Sequence, residues 1–426
     1  MRTVRRLLIT VAFLSSLSFA EQLSFKRAIE LALRNSAASV IADADEKKAK
    51  AGYLEMRNQY LPQMSLGSGI AYSNGFPLSI EGAAPSIINL NSSQYLVNFA
   101  GRDFLKAARK EWGAAQKSTQ DKRAQVILDT ALTYAELDKY ASSLKIMEQQ
   151  QEAAQRAEQV ASDRFRAGLD AETEFTKAKL NSARVRMAAA NARGNADLLR
   201  LKLSQLTGLS PDNIETVTET IPQLPDAPQS MTKEQVNNHL AVQSANEVAA
   251  GRELRAKAEH KLNLPAIDLA GQYGLLARYN NYDEFFKKFQ RHNVTVGLVI
   301  RFPFLNFAQN ARAEAADAEA LRAKKEAEAV KGQVASETLK LQRTVEQLAA
   351  ARDIAKLEYQ LASADSSAAK TRVEAGQATV RDQENARLGE QQKYSAFIDA
   401  QFELERAQMT LMRQTGEIEK WVGLGQ

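Results

Sequence analysis

Two long zones of the chain carry hydrophobic residues at the spacing of an amphipathic helix. Proline is absent from both zones, between residues 86 and 210 and after residue 303. Alanine, leucine, glutamate, glutamine, lysine and arginine dominate them, and all of these residues favour helix. One stretch shows the spacing well, with apolar residues at Ile127, Leu128, Ala131, Leu132, Ala135 and Tyr140. Because proline inside a helix costs ~3 kcal/mol, its absence leaves both zones free to form long helices.

The predicted helices are too long for a globular domain. A helix from about Arg102 to Arg166 would be roughly 95 Å long at about 1.5 Å per residue. Its apolar stripe is rich in alanine, which lets neighbouring helices approach closely. The pattern therefore predicts helices that bury their stripes against each other as coiled coils. A single solvated helix is the alternative, and the regular stripe disfavours it.

Between the helical zones, apolar and polar residues alternate with a period of two, which is typical of strands. Segments of about ten alternating residues, rich in aromatics and joined by polar turns, are typical of outer-membrane barrel strands. Residues 262–307 hold nine of the 27 Phe and Tyr residues. The alternating apolar residues are Met64, Leu66, Ile70 and Tyr72; Tyr95, Val97 and Phe99; Ile267, Leu269, Tyr273, Leu275 and Tyr279; and Val294, Val296, Leu298, Ile300, Phe302 and Phe304.

An ordinary antiparallel sheet with one buried face is the alternative for these four strands. The density of aromatic residues and the lack of a globular core for the sheet to cover disfavour it. We expect the intervening loops, residues 73–91 and 280–291, to face outward. Four strands cannot close a barrel, since the smallest closed barrels have about eight. An open edge in lipid leaves unpaired backbone groups, so several chains must contribute to one barrel.

An Ala-Gly pair interrupts the helical pattern twice, at Gly168 and at Gly376, 208 residues apart. Glycine suits the left-handed backbone that a reversal of direction tends to need, so each break predicts the tip of a helical hairpin. The same offset pairs Arg164 with Arg372, Ala167 with Ala375, residues 98–100 with 306–308, 107–108 with 315–316, and 207–208 with 415–416. Leu61-Pro62 and Leu264-Pro265 match at a nearby offset of 203.

These matches divide the chain into two repeats. Each repeat reads helix, strand, strand, very long helix, break and helix, over residues 21–207 and 232–426. Residues 208–231, with four prolines, form the expected linker. Residues 1–20 have a basic start, a short apolar core and small residues near Ala20, which predicts a secretory signal cut after Ala20.

Composition excludes several functions. The net charge is +5 and its charges are interspersed, so no nucleic-acid partner is expected. The absence of cysteine excludes disulfides, thiolate metal sites and a cysteine nucleophile, and an exported chain of this kind fits a bacterial envelope. His239, His260 and His292 lie apart without metal-ligand spacing, and no nucleophile or phosphate-loop motif occurs. We therefore expect no enzyme activity, catalytic residue, cofactor or metal site.

Several motifs resemble the TolC-like outer-membrane efflux protein family. They are the doubled breaks "RFRAGL" and "TRVEAG", the strand-to-helix passages "VNFAGRDFLKAA" and "RFPFLNFAQNARAEAA", and the helix segment "ALTYAELDKY". The resemblance covers essentially the whole chain after the signal. It implies a mixed α and β membrane protein: a trimer whose chains each give four strands to a 12-stranded outer-membrane β-barrel, continued by a long α-helical coiled-coil tunnel across the periplasm.

The resemblance also implies a function and partners. The expected function is a passive outer-membrane exit duct of a tripartite efflux or type I secretion system. The expected partners are two further copies of the chain, a periplasmic adaptor (membrane fusion) protein, an inner-membrane transporter and the lipid of the outer membrane. A periplasmic coiled-coil scaffold or adaptor is the alternative, and it accounts for the helices but not for the alternating strands.

The same resemblance implies that the two tips lie at the periplasmic mouth. Family members carry acidic residues that line a constriction at Asp382 and three residues later, where this chain has Asn385. One ring of carboxylates is then retained, and it would attract cations. Alternatively, Asp382 stabilises the start of its helix. Arg381 and Arg372 are expected to pair with carboxylates of a neighbouring helix.

The first tip carries Glu174 and Lys177 at the positions matching Asp382 and Asn385. The chain departs from the family after the second tip, where Gln383 and Glu384 replace apolar residues. Adaptor docking is expected at the breaks, on Arg164, Ala167, Gly168, Arg372, Ala375 and Gly376.

Overall fold

The computed structural model describes residues 22–68, 86–225, 233–276, 290–303 and 306–424. The predicted signal segment, residues 1–20, lies outside these ranges. So do residues 73–85 and 280–289 of the two predicted loops, and residues 226–232 of the predicted linker.

The described part of the chain forms nine α-helices and six β-strands. The helices are α1 (Phe25–Asn35), α2 (Ala37–Asn58), α3 (Phe99–Arg166), α4 (Glu172–Thr207), α5 (Lys233–Asn238), α6 (Leu240–Lys261), α7 (Phe307–Glu374), α8 (Val380–Thr415) and α9 (Ile418–Trp421). The strands are β1 (Gln22–Leu23), β2 (Gln63–Gly67), β3 (Ser86–Val97), β4 (Glu215–Thr216), β5 (Ala266–Leu276) and β6 (His292–Arg301). None of the described helices is both long and apolar enough to cross a membrane.

Six of the nine described helices form three pairs of equal length. Helices α3 and α7 each have 68 residues, α4 and α8 each have 36, and α2 and α6 each have 22. The first two pairs are related by an offset of 208 residues and the third by 203. Helices α3 and α7 also begin alike: Oδ1 of Asn98 accepts from the Gly101 N–H at 2.8 Å, and Oδ1 of Asn306 from the Gln309 N–H at 3.2 Å.

Two strand predictions are corrected at these passages from strand to helix. Phe99 is the first residue of α3 and not the end of a strand, because the Asn98 side chain satisfies a free N–H of the helix start. Phe302 lies beyond the end of β6, next to Pro303, which has no N–H to extend a strand ladder. Phe304, Ile70, Tyr72 and Tyr279 lie outside the described residues.

The chain divides into two compact units that cut across the repeats. The tip unit combines Met1–Val40, Arg123–Pro228 and Arg343–Gln426, and the sheet unit combines Ile41–Lys122 and Gln229–Gln342. Each unit therefore takes residues from both halves of the sequence.

Tyr134 on α3 organises the core of the tip unit. Its side chain is fully buried, and its hydroxyl donates to the Leu23 carbonyl at 2.6 Å and accepts from the Val217 N–H at 2.8 Å. Its ring packs edge-on against Phe25, with 5.4 Å between centroids. Because Leu23 lies in β1 and Val217 follows β4, one side chain holds the N-terminal segment and the linker against α3. The two strands pair in parallel.

The sheet unit contains an antiparallel sheet with strand order β2-β3-β5-β6. Residues 86–91 were predicted to belong to an outward loop, and this prediction is wrong because β3 begins at Ser86. Their polar residues, Asn89 and Asn91, pair with Gly274 and Gln272 of β5. They resembled a loop in the sequence because they lie on a polar sheet face.

Candidate functional sites at the sheet and the helical tips

The four-stranded sheet has one predominantly apolar face. In the observed register, residues paired across neighbouring strands point to the same side of the sheet. The apolar face carries Met64, Leu66, Leu90, Leu269, Tyr273, Val294, Val296, Leu298 and Ile300. Several of these side chains are strongly exposed, Val296 by 70% and Leu66 by 74%. A continuous exposed apolar surface is typical of a membrane or protein interface.

The opposite face of the sheet is polar and hollow. It carries Gln63, Ser65, Asn89, Asn91, Ser93, Gln272, Asn293 and Thr295. A concavity of about 630 Å³ lies against the sheet, and most of its lining residues, including Ser65, Asn91 and Gln272, belong to this face. The sheet therefore curves with its polar face inward, as a segment of a water-filled barrel does.

An ion pair joins β5 and β6 at one end of the polar face. The Arg301 guanidinium donates to Oδ2 of Asp268, whose side chain is only 6% exposed. Arg301 is the last residue of β6, and α7 begins six residues later. The pair therefore fixes the register of these strands next to the passage from sheet to helix.

Both edges of the sheet are open among the described residues. Strand β2 pairs only with β3, and β6 only with β5. Every residue of β2 and of β6 is exposed. The outer sides of these strands therefore present free N–H and C=O groups, which template pairing with a further strand.

The two Ala-Gly breaks adopt the same backbone conformation. Gly168 and Gly376 both have φ of 72°, in the left-handed region. The Gly168 N–H donates to Phe165 and the Leu169 N–H to Arg164, both at 2.9 Å. The equivalent bonds, 208 residues later, are from Gly376 to Val373 at 3.0 Å and from Gln377 to Arg372 at 2.8 Å. Both breaks are therefore Schellman motifs that satisfy the last carbonyls of α3 and α7.

Alanine at either break is expected to destabilise the tip unit. A left-handed residue with a Cβ costs roughly 1–2 kcal/mol, so Gly168→Ala and Gly376→Ala should each lower the thermal midpoint measured by circular dichroism. Gly194→Ala and Gly389→Ala are the matched controls, since these glycines lie inside α4 and α8 with nothing within 4 Å of an added Cβ. The controls should stabilise by roughly 0.5–1 kcal/mol. Equal changes in all four variants would contradict a special backbone at the tips.

The first tip is held by contacts of α3 with the turn that follows it and with α4. The Arg164 guanidinium donates to both carboxylate oxygens of Asp170, at 2.7 and 3.0 Å. These hydrogen bonds hold the pKa of Asp170 below its usual range. The rings of Phe165 and Phe175 stack with 5.8 Å between centroids. Leu169, the residue after the glycine, is 68% exposed.

The second tip is held by a capping box at the start of α8. The Thr379 hydroxyl accepts from the Asp382 N–H, and Oδ2 of Asp382 accepts from the Thr379 N–H at 3.0 Å and its hydroxyl at 2.7 Å. Hydrogen bonds from Thr379 lower the pKa of Asp382. Asp382 is thus a helix-capping residue, which was the alternative role for it, and both it and Asn385 are exposed.

Arg381 joins the second tip to the first. Its Nη2 donates to Oε1 of Glu174 on α4 at 2.8 Å, and Nζ of Lys177 donates to the same oxygen at 3.0 Å. The hydrogen bond from Lys177, and then the charge of Arg381, lower the pKa of Glu174. Arg381 thus pairs with a carboxylate on a neighbouring helix, as expected. Arg372 forms no ion pair with another described residue.

The lowered pKa values of Glu174 and Asp382 have a defined consequence. A carboxylate whose folded pKa lies below its unfolded value adds stability above the ordinary carboxyl pKa. That stability is lost as the pH falls through the folded pKa. Both groups are therefore charged at neutral and mildly acidic pH, and the tip contacts weaken only on strong acidification.

Several contacts of the tip unit had no signal in the sequence. The pairing of Arg381 with Glu174 joins residues 207 positions apart, and Tyr134 meets Leu23 across 111 positions. The matching positions of the two tips, Glu174 and Asp382, were found through the 208-residue offset, but their contact partners differ. Among the described residues, no group of three or more His, Asp or Glu residues could hold a metal ion.

Comparison with known proteins finds similarity to outer-membrane proteins. Residues 28–209 match the family described as Outer membrane efflux protein. Protein CyaE of Bordetella pertussis is 26% identical over 319 residues, which cover 71% of this chain and 65% of that protein. Outer membrane protein TolC of Escherichia coli K12 is 29% identical over 275 residues, covering 61% of this chain and 53% of that protein. The matches span less than two thirds of these relatives.

Solved structures share the fold over almost the whole chain. The channel-forming protein CusC superposes with a TM-score of 0.76 at 15% identity, covering 93% of this chain and 92% of that one. The outer membrane channel CmeC of Campylobacter jejuni superposes with a TM-score of 0.75 at 16% identity, covering 92% of this chain and 85% of that one. Long helices with a four-stranded sheet are therefore the architecture of this chain.

Proposed function

We propose that this chain is the exit duct of a tripartite efflux or type I secretion system. Its predicted resemblance to the TolC-like outer membrane efflux proteins is confirmed. The location at the bacterial outer membrane, reaching into the periplasm, is confirmed with that resemblance. The structural neighbours CusC and CmeC are described as a protein that forms a transmembrane channel and as an outer membrane channel. In the proposed role the duct is passive. A periplasmic adaptor and an inner-membrane transporter deliver the substrate to it and supply the energy.

The two faces and open edges of the sheet carry this proposal. In the proposed role, four strands with a polar hollow face and an exposed apolar outer face form one segment of a barrel wall. Among the described residues, β2 and β6 are the unpaired edges of this segment. Free edges in lipid cost several kcal/mol per unpaired group. We propose that β6 of one copy pairs with β2 of the next. Three copies then give 3 × 4 = 12 strands, with the apolar face in contact with lipid.

The helices would continue this barrel as a tunnel across the periplasm. The pairs of equal helices support two repeats, residues 21–207 and 232–426, joined by residues 208–231. The tips would then meet the adaptor. We propose docking on the residues at the breaks, namely Arg164, Ala167, Gly168, Arg372, Ala375 and Gly376. The left-handed glycines and the exposed Leu169 support an exposed, well-ordered docking surface there.

The constriction is proposed at the second tip. Three copies of Asp382, with Asn385 one turn further on, would form a narrow ring of carboxylates that favours cations. Arg381, through its pair with Glu174, would hold α8 against α4 in a closed state. Both side chains of this pair are substantially exposed, and water screens the attraction between exposed charges so that such a pair adds little stability. Such a contact is therefore weak enough to be broken by adaptor binding.

Asp382→Asn is expected to reduce cation selectivity without unfolding the tip. The asparagine keeps a carbonyl oxygen that accepts from the Thr379 N–H, but it removes one negative charge per chain. Single channels in planar bilayers should then show a lower preference for potassium over chloride. Thr379→Ala is the matched control, because it weakens the capping box and leaves the carboxylate in place. A selectivity that changes in Thr379→Ala but not in Asp382→Asn would restrict Asp382 to capping.

The proposed function predicts that the mature protein is extracted from outer membranes by detergent as a trimer and conducts ions in planar bilayers. Chemical cross-linking before extraction fixes the oligomeric state, and the bilayer recording tests for a pore. A water-soluble monomer without conductance would contradict the proposed function as an exit duct. That result would favour a periplasmic coiled-coil scaffold, a role that leaves the exposed apolar sheet face without a purpose.

A further inference from the structure

Three arginines in the sheet unit have no role in the proposed duct. Arg252 and Arg255 lie on α6, and Arg312 lies on α7. Together with Ala315, Ala316 and Glu319 they line a cavity of about 330 Å³. Ligand pockets in proteins have volumes of about 300–1,000 Å³. The cavity therefore has room for a small polar group.

The charges around this cavity do not cancel. Its lining has three guanidinium groups and a single carboxylate, Glu319. Oε2 of Glu319 lies 3.5 Å from Nη1 of Arg252, whereas charge-assisted hydrogen bonds are about 2.7–2.9 Å long. Arg255 and Arg312 form no ion pair with another described residue. Most of the guanidinium donors are therefore available to a ligand.

The cavity lies between two helices that are held together beside it. His260 on α6 lies 2.8 Å from Asp317 on α7, measured from Nε2 to Oδ2. The Gln309 amide on α7 donates to the carbonyl of Glu259 at 2.9 Å and to its carboxylate at 2.8 Å. These contacts fix α6 against α7, so the arginines are presented on a preorganised surface. Preorganisation lowers the entropic cost of binding.

The cavity is close to the strands of the proposed barrel. Arg255 lies six residues before the end of α6 at Lys261, and β5 begins five residues after that end. Arg312 lies five residues into α7. At about 1.5 Å per residue, both arginines are within about 10 Å of the helix ends that face the strands. A lipid headgroup of the periplasmic leaflet is at a similar depth if the sheet is in the membrane.

We infer that Arg252, Arg255 and Arg312 form a binding site for a phosphate group. The planar guanidinium matches the oxygens of a phosphate in bidentate geometry, and three guanidiniums with a single carboxylate, which is paired with Arg252, leave an excess of positive charge that favours an anion. The headgroup phosphate of an anionic phospholipid, such as phosphatidylglycerol, and free inorganic phosphate share this chemistry. The depth of the site favours the lipid, and that choice of source rests on the proposed membrane position of the sheet.

The test compares lipid and phosphate binding to the detergent-purified full chain. Native mass spectrometry counts bound phosphatidylglycerol and phosphatidylcholine, and isothermal titration measures inorganic phosphate. Replacing both Arg255 and Arg312 by glutamine should weaken phosphatidylglycerol binding at least tenfold. Arg322→Gln with Lys325→Gln is the matched control, because it removes two positive charges from α7 outside the cavity. The control should bind phosphatidylglycerol like the unchanged protein.

Glu319→Gln gives a test of opposite sign that does not depend on a damaged site. This exposed carboxylate is the only negative charge in the lining, and its removal should strengthen binding several-fold. Equal losses of phosphatidylglycerol binding in the arginine variant and the control variant would contradict a specific site and indicate general attraction between charges. Unchanged binding in the arginine variant would overturn the site as well. Loss of chain association without any change in lipid binding per chain would assign the arginines to a subunit contact instead.

The two sources of phosphate give different results. Preference for phosphatidylglycerol over phosphatidylcholine, lost in the arginine variant, supports a lipid site. Binding of inorganic phosphate with the same dependence on Arg255 and Arg312, but no lipid preference, supports a free-phosphate site. A chain that is water-soluble but binds inorganic phosphate in this way would contradict the duct and keep the site.

Discussion

A Val296→Arg variant is expected to be absent from the outer membrane as a folded protein. Val296 lies near the middle of β6 on the apolar face and is 70% exposed. If that face contacts lipid, an arginine near the midplane of the bilayer costs about 2–4 kcal/mol per chain. A trimer carries the charge three times, which amounts to roughly 6–12 kcal/mol and is comparable with the total stability of about 5–15 kcal/mol of a typical domain.

Thr295→Arg is the control for this prediction. Thr295 is the preceding residue of the same strand, pairs with Gln272 and points to the polar hollow face. Its arginine would contact water inside the proposed barrel, so the variant should accumulate and assemble normally. Immunoblots of outer-membrane fractions, with resistance to mild heating in detergent as the measure of assembly, distinguish the two variants. Normal assembly of Val296→Arg would show that this face does not contact lipid.

Replacement of Tyr134 by alanine is expected to unfold the tip unit around the N-terminal segment. Loss of a large buried aromatic side chain costs about 3–5 kcal/mol. The Leu23 carbonyl and the Val217 N–H also lose their hydroxyl partner, at about 1–3 kcal/mol for each group left buried and unpaired. We expect a large fall in the denaturant midpoint followed by circular dichroism, and rapid proteolysis near Leu23 and Val217.

Two further variants separate packing from hydrogen bonding at this site. Tyr134→Phe keeps the ring against Phe25 and removes only the hydroxyl, so it should lose a smaller part of the stability. Tyr140→Phe is the control, since this half-buried tyrosine on the same helix makes no hydrogen bond to another described residue through its hydroxyl. A Tyr134→Phe variant as stable as Tyr140→Phe would show that the hydroxyl network does not hold the two segments.

Local patterns predicted the elements of this fold because their causes are local. Helix periodicity and the absence of proline placed α3 to within a few residues, and the Ala-Gly breaks placed the C-terminal ends of α3 and α7. Glycine at the two breaks predicted left-handed turns, since a backbone with positive φ excludes most side chains. Errors occurred at strand ends. Residues 86–91 resembled a loop, because the polar face of a strand is built from asparagine and serine, which are also common in turns.

The candidate tip site was less predictable. The sequence suggested two roles for Asp382, and the structure shows that its carboxylate completes the capping box with Thr379. Thr379 stands three residues before Asp382, so this contact was within reach of the capping pattern. The partner of Arg381 could not be predicted from a local pattern, because helices α4 and α8 meet only after the chain has folded.

The sequence by itself determined the long helices, the two left-handed tips, the alternating strands and the 208-residue repeat. Each depends on the backbone preferences of a short segment or on a comparison of one segment with another. Only the tertiary structure decided which strands are neighbours and which sheet face is hollow. It also decided the hydrogen bonds of Tyr134, the Arg381–Glu174 pair and the three-arginine cavity. These features join residues far apart in the chain, and their formation depends on the packing of whole helices and strands.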